Sequence, residues 1–290
     1  MSTRDITRVG KHLLVCADCC DMRELAEGEA DAIITSPPYA DAKDYGEPGA
    51  RFDPDPSATS EWFAPKIAEF LRVLKPGGAA VLVVGPRLKG GAYHPWRERL
   101  MLDMHAAGFM PWEVVAWHKK KFQPITGRMG QAVEWVQMYF KGGRGAWVDL
   151  DAFRQPYSAR SLRNMERDGL IKRFNRQKME QSPGEYSNET VEWKPHPKGA
   201  AARNHMEIIS DGQKRARFKH YAAFPEELVE KFVAGCCPPG GTVVDPFSGT
   251  ATTGVACERL GRRYAGYDLV AEWHGIGVSR MKGEIGSQGE

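Results

Sequence analysis

No uninterrupted apolar run among the 290 residues approaches the roughly 18 that a membrane-spanning helix needs. The opening stretch Met1–Gly10 is polar and lacks the apolar centre of a secretory leader, so a cytoplasmic location is expected. Cysteine is scarce: six residues (Cys16, Cys19, Cys20, Cys236, Cys237, Cys257) with a single Cys-x-x-Cys spacing. Zinc knuckles come as separated pairs of that spacing. Buried, reduced thiols are therefore expected rather than a centre joining Cys16 and Cys19 to Cys236 and Cys237, and no metal is assigned. Phosphate-binding signatures are missing too. The stretch Gly249–Gly254 is followed by Val255 and Ala256 instead of the Lys-Ser/Thr of a P-loop, and its GxxxxG spacing is not the GxGxxG of a dinucleotide fingerprint. No internal repeat is present.

With 42% apolar residues and abundant aromatics, the chain has the material for a packed core. Its length suits one large α/β domain, or a core with a smaller appendage. Net charge is only +3, but it is unevenly spread: between Asp151 and Lys219 there are 15 Lys/Arg against 9 Asp/Glu, a local +6 that leaves −3 on the remainder. A positive segment on a near-neutral body is the footprint of a phosphate-binding surface, although a solvated insertion carries the same charge signature.

Along the chain, His12–Ala17 reads as a short strand and Asp18–Glu27 as a turn entering a helix. Asp31–Thr35 is an apolar strand ended by Pro37 and Pro38, and Tyr39–Thr59 is an Asp/Gly/Pro-rich loop. The spacing of Phe63, Ile67, Phe70, Leu71 and Leu74 predicts a helix over Glu61–Leu74, stopped by Pro76-Gly77-Gly78, and Ala79–Val84 is a fully apolar strand. A helix over Arg97–Ala107 and two closing antiparallel strands, Trp112–Trp117 and Val133–Phe140, follow. Residues 142–219 are polar and basic, with a helix expected around Ser161–Met179. Order returns with a helix over Glu226–Ala234, strands at Thr242–Asp245 and Arg263–Asp268, and a helix between them ending at Leu260. Strand–helix alternation at both ends predicts one parallel sheet built from the two chain termini.

Asp245-Pro246-Phe247-Ser248-Gly249-Thr250 is a strand end, a Gly-containing turn and a helix start. Open α/β sheets bind nucleotide-like ligands at such places. An acid at the strand end suits a cationic ligand without a pyrophosphate, and S-adenosylmethionine, with its ammonium and sulfonium, is one. Asp268 ends the next strand, 19 positions beyond Gly249, where an acid can accept hydrogen bonds from ribose hydroxyls. An ordinary turn with capping acids is the competing reading of this segment.

Thr35-Ser36-Pro37-Pro38-Tyr39 stands at the carboxyl end of its strand. Neither proline has a backbone N–H, so acceptors dominate the turn. The Ser36 hydroxyl and the Pro37 carbonyl could grip both N–H bonds of an exocyclic base amine, whose lone pair is otherwise delocalised into the ring, and Tyr39 offers a face for stacking an extruded base. A rigid strand-ending turn is the competing reading.

These motifs resemble those of the DNA amino-methyltransferases. Thr-Ser-Pro-Pro-Tyr is similar to that family's catalytic motif in its cytosine-N4 form (adenine-N6 members more often carry Asp or Asn at the Ser36 position), and Asp245-Pro-Phe-Ser-Gly249 is similar to its cofactor motif. The catalytic motif comes first, as in the permuted β group. Cys16-Ala-Asp18, Leu71–Gly78 and Gly266-Tyr-Asp268 resemble further family segments, with Ala17 replacing a Gly and Asp268 replacing the commoner Glu. The segment from Tyr221 to Leu228 resembles the one covering the cofactor's methionine end.

The resemblance implies a Rossmann-like α/β methyltransferase fold, a mostly parallel sheet with helices on both faces and a small target-recognition insertion. Residues 1–141 would form the catalytic half of the core, 142–217 the target-recognition region and 218–290 the cofactor-binding half. S-adenosylmethionine would be held by Asp18, Thr35, His220, Phe224, Pro225, Asp245, Pro246, Phe247, Ser248, Gly249, Thr250 and Asp268. Ser36, Pro37, Pro38 and Tyr39 would act on the base, and Arg154, Arg160, Arg163, Lys172, Arg173 and Arg176 would contact DNA phosphates.

The expected activity is direct transfer of a methyl group to cytosine N4 in double-stranded DNA, without a covalent enzyme intermediate. A restriction endonuclease would be a genetic partner only, and the protein would be a monomer or homodimer. Competing readings are an adenine-N6 enzyme, a methyltransferase acting on RNA or a protein amide, a nicotinamide-dependent oxidoreductase and a non-catalytic DNA-binding module.

Overall fold

The computed structural model describes residues 4–41, 50–119, 127–143, 147–168, 170–174, 188–192, 195–208 and 224–287, with backbone alone between 164 and 194. In chain order the elements begin with strands β1 (Asp5–Val9), β2 (His12–Cys16) and β3 (Ala30–Thr35), helix α1 (Pro56–Val73) and strand β4 (Leu74–Val84). The small hairpin β5 (Arg87–Lys89) and β6 (Ala92–His94), helix α2 (Trp96–Ala106), and strands β7 (Phe109–His118) and β8 (Val133–Lys141) follow. Next come α3 (Ala159–Asp168), β9 (Leu170–Phe174), β10 (Asn188–Glu192) and β11 (His205–Glu207). The chain closes with α4 (Glu226–Cys236), β12 (Thr242–Asp245), α5 (Thr252–Arg259), β13 (Arg263–Asp268) and α6 (Ala271–Ser287).

Strands buried on both faces carry no polar alternation, which is why β2, β3 and β12 read as continuous apolar runs. They lie in one nine-stranded sheet of order β1-β2-β13-β12-β3-β4-β8-β7-β11. From β2 to β4 all neighbours are parallel, β8 is antiparallel to both β4 and β7, and β11 is parallel to β7. The two C-terminal strands β13 and β12 thus sit between the N-terminal strands β2 and β3, as the alternation at both chain ends predicts.

From β3 the chain crosses through α1 to β4, and from β12 through α5 to β13, in opposite directions along the sheet. Right-handed crossovers in opposite directions place their helices on opposite faces. Accordingly α1 packs with α2, whereas α5 packs with α4 and α6. The fold is therefore the Rossmann-like α/β class that the motifs imply.

Several element boundaries depart from the sequence expectations. Helix α1 starts at Pro56, inside the stretch read as loop, because the Asp55 carboxylate accepts the Ser57 N–H at 2.9 Å and Pro56 pre-sets φ in the first turn. Asp18–Glu27 forms turns instead of entering a helix. The Asp18 carboxylate takes the Cys20 N–H at 2.9 Å, and Arg72 of α1 donates to the carbonyls of Met22 and Leu25 at 2.9 and 2.8 Å, so side chains satisfy backbone groups that a helix would have used. The helix expected over Ser161–Met179 ends at Asp168, and the following run, with β-branched Ile171, pairs with β10 as β9.

The chain divides into two compact units, Met1–Ala152 with Asn204–Glu290, and Phe153–Arg203. No helix among the described residues is long and apolar enough to cross a membrane.

An aromatic group of Phe52, Trp62, Phe63 and Trp96 fills the space between α1 and α2, with Phe63 fully buried and its ring 4.7 Å from Trp62 and 5.3 Å from Phe52. Trp62 in turn stacks on Phe247 at 5.7 Å and 17°, which couples this core to the β12–α5 loop. Phe63→Ala is expected to lower the free energy of unfolding by about 3–5 kcal/mol in urea titration. A loss under about 1 kcal/mol would show that the cluster does not anchor α1.

Candidate active site

Because β3 and β12 are neighbours whose chains leave in opposite directions, a crevice opens at their carboxyl ends. Thr35 ends β3 and Asp245 ends β12, and the two side chains meet there: Thr35 Oγ1 donates to Asp245 Oδ1 at 2.6 Å, with both residues buried. The same carboxylate accepts Thr253 Oγ1 at 2.6 Å on its other oxygen and the Phe247 N–H at 3.1 Å. Burial pushes the Asp245 carboxyl up to about 6 against the lowering pull of Thr253, Thr35 and the Phe247 N–H.

Asp268 at the end of β13 organises the rest of the cofactor-type loop. Its carboxylate accepts the Gly249 N–H at 2.7 Å and the Val270 N–H at 2.9 Å, and burial pushes it up to about 6. Ser248 is pinned by its hydroxyl to Tyr264 Oη at 2.6 Å and by its N–H to the Tyr267 carbonyl at 2.8 Å. Pro246 is buried, and the Thr250 carbonyl accepts Arg280 Nη1 at 3.1 Å.

Asp18, exposed beyond the end of β2, extends the row, since β2 pairs with β13 and the Ala17 N–H donates to the Asp268 carbonyl at 2.9 Å. Three acids thus line the carboxyl ends of β2, β13 and β12.

The Thr35–Tyr39 turn is held from the β4 side. Ser36 Oγ lies 3.2 Å from the Val83 carbonyl and 3.4 Å from Tyr39 Oη, so its single proton is directed to protein acceptors and its lone pairs are left over. Tyr39 Oη donates to Glu134 Oε2 at 2.7 Å, and the other oxygen of Glu134 takes Lys119 Nζ at 2.6 Å. The Tyr39 ring lies directly on Gly85, where a Cβ would come within 2.4 Å of ring carbon Cε2. Pro37 is buried and Pro38 partly exposed.

Both loops leave the crevice through a strained residue. Ala40 (φ +52°) follows Tyr39, Ala251 (φ +58°) precedes α5, and among the described residues no other non-glycine has positive φ. Each costs about 1–2 kcal/mol, which the surrounding contacts must offset.

Sequence reasoning missed Glu134, Lys119, Gly85, Thr253 and Arg280. Glu134 carried the clearest signal, as an acid within a strand that is otherwise mostly apolar. Arg280 carried none, although it joins the loop to α4 by donating to Glu226 Oε1 at 2.5 Å and to Thr252 Oγ1 at 3.0 Å. Phe224 and Pro225 lie at the start of α4 beside that Glu226. His220 and Arg176 fall outside the described residues, and Lys172 and Arg173 are placed on β9 by backbone alone. Arg160 and Arg163 are exposed one turn apart on α3, whereas Arg154 donates to the Gly199 carbonyl at 3.0 Å within its own unit. Cys16, Cys19, Cys236, Cys237 and Cys257 are buried and form no disulfide, and burial pushes the thiols of Cys19, Cys236, Cys237 and Cys257 up.

A family model described as DNA methylase, of the N6/N4 type, matches residues 30–277. The chain is 23% identical over 279 residues to the type II methyltransferase M.Cfr9I of Citrobacter freundii, a match covering 91% of this chain and 85% of that protein. Among solved structures, the cytosine-N4-specific PvuII DNA methyltransferase superposes with a TM-score of 0.64 at 20% identity, over 96% of this chain and 93% of that one. The M1.HpyAVI–SAM complex superposes with a TM-score of 0.57 at 20% identity, over 92% and 98%.

The raised carboxyl of Asp245 has a thermodynamic signature. A folded-state value above the unfolded one means that the native state favours the protonated acid. That contribution is complete below about pH 4 and is lost as pH rises through about 6. Relative to Asp245→Asn, wild-type protein should lose about 3 kcal/mol of unfolding free energy between about pH 4 and about pH 7, by urea titration at each pH. A difference that stays flat across this window would show that Asp245 is not held in a desolvated site.

Proposed function

The chain belongs to the N6/N4 DNA methylase family, and on that premise we propose that it transfers a methyl group from S-adenosylmethionine to the exocyclic N4 of cytosine in double-stranded DNA. The observation that carries this reading is the Thr35–Asp245 hydrogen bond, which locks an acceptor-rich turn against an acidic loop in one crevice.

The residues at the crevice fit a cationic adenosyl cofactor. In an anion site the N–H groups of a Gly-containing loop point at the ligand. Here the Phe247 and Gly249 N–H groups are already taken by Asp245 and Asp268. Those carboxylates keep acceptor capacity beyond these bonds, which suits an ammonium and ribose hydroxyls. Asp18, Thr35, Asp245, Pro246–Thr250 and Asp268 would hold the cofactor, with His220, Phe224 and Pro225 toward its methionine end. Bound there, S-adenosylmethionine supplies an electrophilic methyl group.

The acceptor side follows from the turn. With its proton committed to the Val83 carbonyl or Tyr39 Oη, the Ser36 hydroxyl can accept one N–H of an exocyclic amine, and the Pro37 carbonyl the other. Both contacts draw the nitrogen toward tetrahedral geometry and take up the positive charge that grows during attack. Tyr39, fixed by Gly85 and Glu134, presents its ring to a flipped base. Glu134 and Lys119 are positioning residues. The second compact unit, with Arg160 and Arg163 exposed on α3, would belong to the target-recognition region 142–217, where Arg154, Lys172, Arg173 and Arg176 add positive charge. Cytosine is favoured over adenine by Ser rather than Asp or Asn at position 36, and the cytosine-N4 specificity of the PvuII enzyme accords with it.

The test is nucleoside mass spectrometry on unmethylated genomic DNA incubated with the protein and isotopically labelled S-adenosylmethionine. Label in N4-methylcytosine is expected. Label in N6-methyladenine would overturn the reading of Ser36 alone, and label in no DNA base would overturn the substrate. Ser36→Ala should lower turnover by roughly 10²-fold while calorimetry shows S-adenosylmethionine affinity largely kept. Near-normal turnover would remove Ser36 from the reaction.

A further inference from the structure

At the far edge of the sheet, β11 pairs with β7 over only three positions: His205 with Ala116, Met206 with Trp117 and Glu207 with His118. Side chains alternate along a strand and match across a parallel pair, so His205, Glu207 and His118 share one face. Met206 points the other way and is 3% exposed. The ligand-type atoms of the three residues all lie within 4.8 Å of one another, and the imidazole rings of His118 and His205 are 6.2 Å apart at 28°.

The backbone beneath them is fixed from both sides. Trp117, 1% exposed, donates its indole N–H to the Ile208 carbonyl at 3.0 Å, and the Ala116 N–H donates to the Asn204 carbonyl at 2.8 Å. His205 and Glu207 are exposed and His118 partly so, which leaves their side chains room to turn.

We propose that His118, His205 and Glu207 bind one borderline transition-metal dication, Zn2+ being the chemical class representative. Two imidazoles and one carboxylate form a three-ligand zinc set that leaves a fourth position for water. Ligands at about 2.0–2.1 Å in a tetrahedron are about 3.3 Å apart, so the observed spacing closes with small side-chain rotations. A hard cation such as Mg2+ or Ca2+ prefers all-oxygen ligands and is disfavoured.

This centre is separate from the crevice. Strand β7 runs parallel to β4, so the cluster shares the carboxyl edge with the catalytic turn, but its strands β7 and β11 lie three and four strands from β3, or about 14–19 Å at ordinary strand spacing. The metal therefore takes no part in methyl transfer. It clips the end of β7 to a three-residue edge strand that begins two positions after the second compact unit ends at Arg203.

The full-length protein, stripped with chelator and dialysed, is titrated with Zn2+ against a chromophoric competitor. One equivalent is expected to bind, with affinity falling more than about tenfold in His205→Ala and in Glu207→Gln and unchanged in the control His94→Ala. Both variants sit at exposed edge positions, so folding is preserved, and circular dichroism checks it. Co2+ in place of Zn2+ should give weak visible bands without a thiolate charge-transfer band. No binding by the wild-type chain, full retention in both variants, or a thiolate band assigning the metal to cysteine would each overturn the proposal.

Discussion

A hydrogen bond between residues 210 positions apart holds the candidate site together: Thr35 at the end of β3 donates to Asp245 at the end of β12. Two loops of different chemistry, one rich in acceptors and one lined by acids, are fixed within a single hydrogen bond of each other at the point where the sheet's crossovers diverge. The geometry depends on Asp245 remaining buried, and burial raises the carboxyl toward neutrality. The donors from Thr35, Thr253 and Phe247 offset that cost, because each bond to the ionised form lowers it again. The strained residues Ala40 and Ala251 leave the same two loops, so the Thr35–Asp245 contact and its surroundings also carry the backbone cost of turning both chains sharply out of the crevice.

The acids explain why a Gly-containing loop at a helix start is not an anion site. A loop of this form presents N–H groups that anions usually satisfy. Here Asp245 and Asp268 satisfy them from inside the protein, at the carboxyl ends of β12 and β13. The local charge sign is reversed without altering the strand–turn–helix backbone. Arg280, bridging Glu226 to Thr250 and Thr252, keeps the far end of the loop in place without joining the row of acids.

The parallel centre of the sheet, its closing antiparallel pair and the turns that end β3 and β12 were legible in the sequence, because buried strands and Pro- or Gly-bearing turns leave local signals. What was hidden depends on partners distant in sequence. Asp18–Glu27 looks like a helix entry until Arg72, on another element, claims its carbonyls. Helix α1 was shortened because its cap, Asp55, is embedded in a loop-like composition. Glu134 becomes meaningful only when β8 is set beside β4, and the His118, His205 and Glu207 cluster only when β11 takes its register on β7. No periodicity within a segment encodes a register between two segments.

The disposition of the carboxylates also constrains how an amine acceptor could be activated. Asp245 accepts three donors, and Glu134 is spent on Tyr39 and Lys119, so each is engaged in holding structure. The proton of Ser36 points to Val83 or Tyr39. On the proposed reading, a crevice arranged this way would not begin by removing a proton from the amine. Its means would be acceptor lone pairs at fixed positions, which would favour the charged, tetrahedral nitrogen formed as the methyl arrives and leave proton loss until afterwards. The rigidity supplied by Pro37, Pro38, Gly85 and Glu134 would then have a direct chemical purpose. An acceptor displaced by even an ångström would stabilise the planar amine as well as the transition state, and the advantage would vanish.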